Sequence, residues 1–104
     1  MEIRVHLKIK VNSDFENYVR EKIVGLGKVA LGPTTADFYL RKEGPAYVSE
    51  LVIHTGHQTV FLKESDPELN RSVDELLHKA RVKLSRLHDK VIDRSHRQKM
   101  KEEK

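Results

Sequence analysis

From Asp66 to about Arg97 the chain carries one long helical pattern with a single apolar stripe. Leu69, Val73, Leu76, Leu77, Ala80, Leu84, Leu87 and Val91 recur at spacings of three and four, which places them on one helix face. A helix of this kind draws its stability from burying that face, not from its own hydrogen bonds. It therefore demands a second layer to pack against. Asp66-Pro67 opens it, with Asp66 as the expected N-cap and Pro67 at the first helical position.

The second layer is supplied by strands. Ile3, Val5, Leu7, Ile9 and Val11 alternate with Arg4, His6, Lys8 and Lys10 over residues 2–11, a period of two with one buried face. A first helix follows, capped by Asn12 or Ser13, with Ser13 and Glu16 at capping-box spacing. Its apolar stripe is Phe15, Tyr18, Val19, Ile23 and Leu26, and Gly25 and Gly27 loosen its end before Gly32-Pro33. Three more strands come next, marked by Ala36, Phe38 and Leu40, by Leu51, Ile53 and Thr55, and by Val60 and Leu62. Gly44-Pro45 and Thr55-Gly56-His57-Gln58 provide the turns.

The order β-α-β-β-β-α predicts an α+β fold: a two-layer sandwich of a four-stranded sheet with two helices packed side by side on one face, like a double-stranded-RNA-binding domain. Residues 1–97 form one domain. The tail 98–104 has no apolar periodicity and is expected to be mobile.

Charge is the second informative pattern. The net charge is +4 and the isoelectric point about 9.4, which favours an anionic partner. Residues 78–101 hold nine Lys or Arg against two Asp, a surplus larger than that of the whole chain. At about 100° per residue, Lys79, Lys83, Arg86, Lys90, Arg94 and Arg97 fall into one stripe, a quarter-turn from the apolar face. Asp74, Glu75, Asp89 and Asp93 fall further round. With a second helix alongside, the stripe is expected to line a basic groove between the helices. Such a sign-sorted face differs from the mixed charges of an ordinary solvated helix.

In this order and spacing the chain resembles the ribosome hibernation-promoting factors, the group that includes ribosome-associated inhibitor A and was once labelled sigma-54 modulation protein. The resemblance rests on Tyr18-Val19-Arg20-Glu21-Lys22-Ile23-Val24-Gly25-Leu26, on Glu50-Leu51-Val52-Ile53-His54, and on Ser72 to Lys79 followed by Arg86 and His88-Asp89-Lys90. Asn70 stands where an aromatic is usual, and Lys83 where Gln is common. The tail matches neither a long dimerising extension nor an acidic tail, so the short form is expected.

The resemblance implies a cytoplasmic translation inhibitor, a monomer off the ribosome, whose partner is the small ribosomal subunit: 16S ribosomal RNA and ribosomal proteins. It would occlude the decoding region and hold idle ribosomes inactive. The RNA-binding residues carried over are Arg20 and Lys22 on the first helix and Lys79, Lys83, Arg86 and Lys90 on the second; Arg94 joins them from the stripe. The alternative is a protein-interaction or general RNA-binding module that uses the sheet face or the tail.

Other chemistries find little support. No apolar run approaches the ~18–20 residues that cross a bilayer, and Met1-Glu2-Ile3-Arg4 lacks a secretory pattern. Cysteine is absent, which excludes disulfides and thiolate metal sites. His54 and His57 have no evident completing ligands, and His78 and His88 lie too far apart on a helix to share a metal. No phosphate loop or nucleophile elbow is present, so neither an enzyme nor a cofactor, metal or small-molecule substrate is expected. His6 is expected at the surface. Tyr39, Tyr47 and Phe61 are expected on the open sheet face, where aromatics could stack single-stranded RNA.

Overall fold

The computed structural model describes the backbone of residues 1–30, 34–56 and 58–102, and within these the side chains up to Lys90. Its elements are β1 (Glu2–Leu7), α1 (Ser13–Gly27), β2 (Thr35–Glu43), β3 (Ala46–His54), β4 (Thr59–Asp66) and α2 (Leu69–Glu102). The sheet order is β1-β2-β3-β4. β1 pairs parallel to β2 across the α1 crossover, and the other pairs are antiparallel hairpins.

Both helices cover one sheet face, as the alternation requires. Ala36, Phe38 and Leu40 of β2 and Leu51 and Ile53 of β3 are fully buried beneath Val19 and Ile23 of α1 and Val73, Leu76, Ala80 and Leu84 of α2. Two polar residues share this core. Ser49 Oγ lies 2.8 Å from Ser72 Oγ and donates to the Ser72 carbonyl at 3.1 Å, so neither buried hydroxyl is left without a partner.

Several boundaries differ from the sequence reading. The β1 ladder stops at Leu7, and Lys8 adds one further bond to the Leu40 carbonyl at 2.9 Å. Ile9 and Val11 keep the alternation and still pack against the core. Asn12, not Ser13, caps α1: its side-chain oxygen accepts from the Phe15 N–H at 2.7 Å. Neither Gly25 nor Gly27 adopts a left-handed backbone, and α1 closes on Lys28 in the right-handed region.

At the start of α2, the first helical bond runs from Ser72 N to the Glu68 carbonyl, so Asp66 is not its N-cap. Asp66 instead accepts from Glu68 N at 2.8 Å, fixing the turn that leads in. α2 continues past Arg97 to Glu102, a span of 34 residues or about 51 Å.

Candidate nucleic-acid interface

The strand order decides where every charged side chain points. α1 lies beside β1, and α2 lies over β3 and β4. One shoulder of α2 therefore faces α1 and the other faces the β4 edge. On the first shoulder Asp74 accepts a 2.9 Å hydrogen bond from the Tyr18 hydroxyl. Burial and this bond push the phenol up, the bond to Asp74 contributing most. On the second shoulder the Lys79 ammonium pairs with Glu64 of β4, which also raises the Lys79 pKa.

This pairing corrects the expected groove. The stripe begun by Lys79 lies on the β4 shoulder, and Lys83, Arg86 and Lys90 follow it along the exposed outside of α2. Those three carry no ion pair among the described residues. The stripe does not line the space between the helices. A quarter-turn offset from the core is satisfied on either shoulder, and the sheet order selects the outer one.

The inter-helix groove, about 580 Å³, has a different lining. Lys22 and Lys28 come from the α1 side, Arg81 and His78 from α2, and Leu26 and Leu77 form its floor. Glu21 and Asp74 face the same space. Lys22 Nζ lies 5.6 Å from the centroid of the Tyr18 ring, within cation–π range. Tyr18 itself is 40% exposed and ties the two helices together instead of filling the core.

Of the six candidate residues with described side chains, only Lys22 enters this groove. Arg20 points to the opposite side of α1 and pairs with Glu16 at 3.3 Å. Lys79, Lys83, Arg86 and Lys90 form the outer shoulder, and the Arg94 side chain lies outside the described residues. Sequence reasoning missed Arg81 and Lys28. Arg81 stands one turn after Leu77, on the edge of the apolar stripe, and that adjacency was the available signal. Lys28 follows the end of α1, where helical angles no longer apply.

The open sheet face is polar but largely self-neutralised. Asp37, 7% exposed, accepts from Arg4 at 2.9 Å and meets His6 Nε2 at 3.1 Å. The His6 ring stacks on Tyr39, centroids 4.5 Å apart, while its side chain stays at the surface, 41% exposed. Burial alone would raise the Asp37 carboxyl, but the His6 and Arg4 bonds outweigh it and leave it lowered. Arg41 pairs with Glu43 and Glu50, and Lys63 lies 3.9 Å from Glu50.

Phe61 is 59% exposed on this face. Tyr47 is not on it: its register beside Lys42 and Asp66 follows the helix-covered side, and Lys42 Nζ sits 5.1 Å from its ring centroid. Among the described residues, no three His, Asp or Glu side chains converge as a metal set. His54 Nδ1 meets Thr59 Oγ1 at 3.1 Å at exposed strand ends, and His57 lies outside the described residues. Among the described residues, no helix is long and apolar enough to cross a membrane.

This domain, with a cationic helix layer and a neutralised sheet, can be compared with known proteins. The sequence matches the family described as sigma 54 modulation protein / S30EA ribosomal protein over residues 2–92. The chain belongs to that family. No curated protein matches it significantly. The chain is similar in fold to the crystal structure of the Thermus thermophilus Protein Y N-terminal domain, with a TM-score of 0.74 and 19% identity over 84% of this chain and 99% of that one. It is also similar to a ribosomal subunit interface protein from Coxiella burnetii, with a TM-score of 0.64 and 15% identity over 84% and 97% of the two chains. Both likenesses agree with the β-α-β-β-β-α sandwich predicted from the sequence.

Proposed function

We propose that the protein binds the small ribosomal subunit through its helix layer and inhibits translation by occupying the decoding region. It acts by occlusion, with no chemistry of its own. The observation that carries this reading is the distribution of unpaired cations. Lys83, Arg86 and Lys90 on the outer shoulder and Lys22 and Arg81 in the groove hold no carboxylate among the described residues, while Arg4, Arg41 and Lys63 of the open sheet face are paired. Free cations on a rigid helix layer suit the backbone of folded RNA, which is recognised by shape and charge. Family membership supplies the ribosome as the RNA-bearing partner.

A cell-free translation assay tests the mechanism. Inhibition should rise with protein and saturate near one copy per ribosome, with ribosomal RNA uncut. Strong inhibition at a small fraction of the ribosome concentration, or discrete cleavage products, would replace occlusion with catalysis.

A further inference from the structure

Tyr18 of α1 and Asp74 of α2 stand 56 residues apart in the chain and meet at the surface, where the phenol donates to the carboxylate at 2.9 Å. Among the described residues no other side-chain hydrogen bond or ion pair crosses between the helices. The apolar floor beneath them is Leu26 and Leu77. α1 is the more lightly anchored of the two, with Val19, Ile23 and Leu26 buried, against Val73, Leu76, Leu77, Ala80 and Leu84 on α2. An exposed hydrogen bond adds little to folding, because water serves both groups almost as well. Its effect is geometric. It bridges α1 to the early turns of α2, while the groove runs on to Lys28 and Arg81 without such a tie. Lys22 Nζ over the Tyr18 ring favours the ring in that pose.

We propose that the Tyr18–Asp74 bond is a strap that fixes the spacing of α1 and α2, and so makes the helix layer selective for rigid, folded RNA over flexible single strands. Tyr18 and Asp74 are positioning residues that touch no ligand. This rests on the ribosome-binding reading and adds to it a source of selectivity. A flexible polyanion adapts its phosphates to whatever separation the cations offer, so a preset spacing brings it no advantage. A folded RNA holds its phosphates at fixed separations and binds only the matching arrangement. Where that arrangement is populated only part of the time, apparent affinity falls in proportion, and holding it in the free protein removes the loss. An unstrapped layer that matches about a quarter of the time binds roughly fourfold more weakly.

The test compares Tyr18→Phe, Asp74→Asn, Asp74→Leu and the double variant Tyr18→Phe, Asp74→Leu. Tyr18→Phe keeps the ring and its Lys22 contact but removes the donor. Asp74→Asn and Asp74→Leu each remove one negative charge, and only the first keeps an acceptor for the phenol. Affinities for purified small subunits and for single-stranded polyuridylate are measured at one low salt concentration, with the melting midpoint of each free protein. Tyr18→Phe should weaken subunit binding about fourfold and leave polyuridylate binding unchanged. Asp74→Leu should bind subunits about fourfold more weakly than Asp74→Asn, and polyuridylate equally well. Adding Tyr18→Phe to Asp74→Leu should change nothing further. Wild-type subunit affinity in Tyr18→Phe overturns the proposal. An equal loss on both RNAs also overturns it, by showing no selectivity. So does a full further loss in the double variant, which would put the hydroxyl on the RNA itself. A midpoint lowered by about 10 °C or more in Tyr18→Phe would assign the bond to folding and overturn it as well. Failure of the wild-type protein to bind subunits would instead remove the ribosome reading, and the proposal with it.

Discussion

Lys79 and Lys83 sit one helical turn apart in the same stripe, yet their surroundings differ. The Lys79 ammonium is held by Glu64, whose side chain is only 15% exposed, whereas Lys83 is exposed with no carboxylate partner among the described residues. A cation already paired releases fewer counterions when a phosphate arrives, because it must first leave its carboxylate. Lys83→Ala should therefore weaken subunit binding by about fivefold at low salt, and Lys79→Ala by less than about twofold. Glu64→Gln should tighten binding by freeing Lys79. Stability should change little in all three, since Lys79 and Lys83 lie at the surface, where solvent screens a charge pair. Equal losses for the two lysines, or weaker binding in Glu64→Gln, would show that the pair opens without cost on the ribosome. The same distinction was out of reach in the sequence: periodicity placed Lys79 and Lys83 in one stripe, but only the β4 register brings Glu64 beneath the first of them.

At the scale of elements, the edge strand β1 is held to β2 by backbone pairing and by one charged clip. Asp37 of β2 takes Arg4, its register partner on β1, and His6 two residues further along that strand. Its carboxyl is lowered from an ordinary value near 3.8, so the folded protein binds fewer protons there than the unfolded chain. The clip is fully present above that value and is lost as pH falls through the lowered range. Unfolding midpoints should therefore decline below about pH 4, and Asp37→Asn should flatten this acid limb while lowering the midpoint at neutral pH. An unchanged limb in Asp37→Asn would assign acid sensitivity to other carboxylates.

Elements were also the most legible level of the sequence. The order of strands and helices, the shared sheet face, and Phe38, Ile23 and Leu76 as core all followed from periods of 2 and 3.6. Asp37 did not, because a polar residue at a polar-phase position gives no hint of burial. Tyr18 was misplaced for the opposite reason: its apolar body fits the stripe, while its hydroxyl serves Asp74 across the helix gap.

For the whole molecule, the consequence of the strand order is that α2 presents cations on two shoulders instead of one. Lys22 and Arg81 belong to the groove, and Lys83, Arg86 and Lys90 to the outer side. The sequence fixes each residue's angle about its own helix axis, but the side on which the neighbouring helix lies depends on how the sheet is ordered. That is why the stripe itself was legible and its placement was not. The largely neutralised open face makes the helix layer the side from which the proposed function has the domain meet RNA.

The most direct test of that claim is co-sedimentation with purified small subunits across a salt series, for the wild-type protein and for the triple variant Lys83→Glu, Arg86→Glu, Lys90→Glu. These side chains lie off the core, where substitutions usually change stability by about ±0.5 kcal/mol, so the variant should stay folded. Wild-type binding should fall steeply as salt rises, with a log–log slope of roughly −0.7 to −0.9 for each phosphate neutralised, and the folded triple variant should not co-sediment. Binding that is flat with salt, or a folded triple variant that binds like wild type, would contradict the helix layer as the RNA-binding surface.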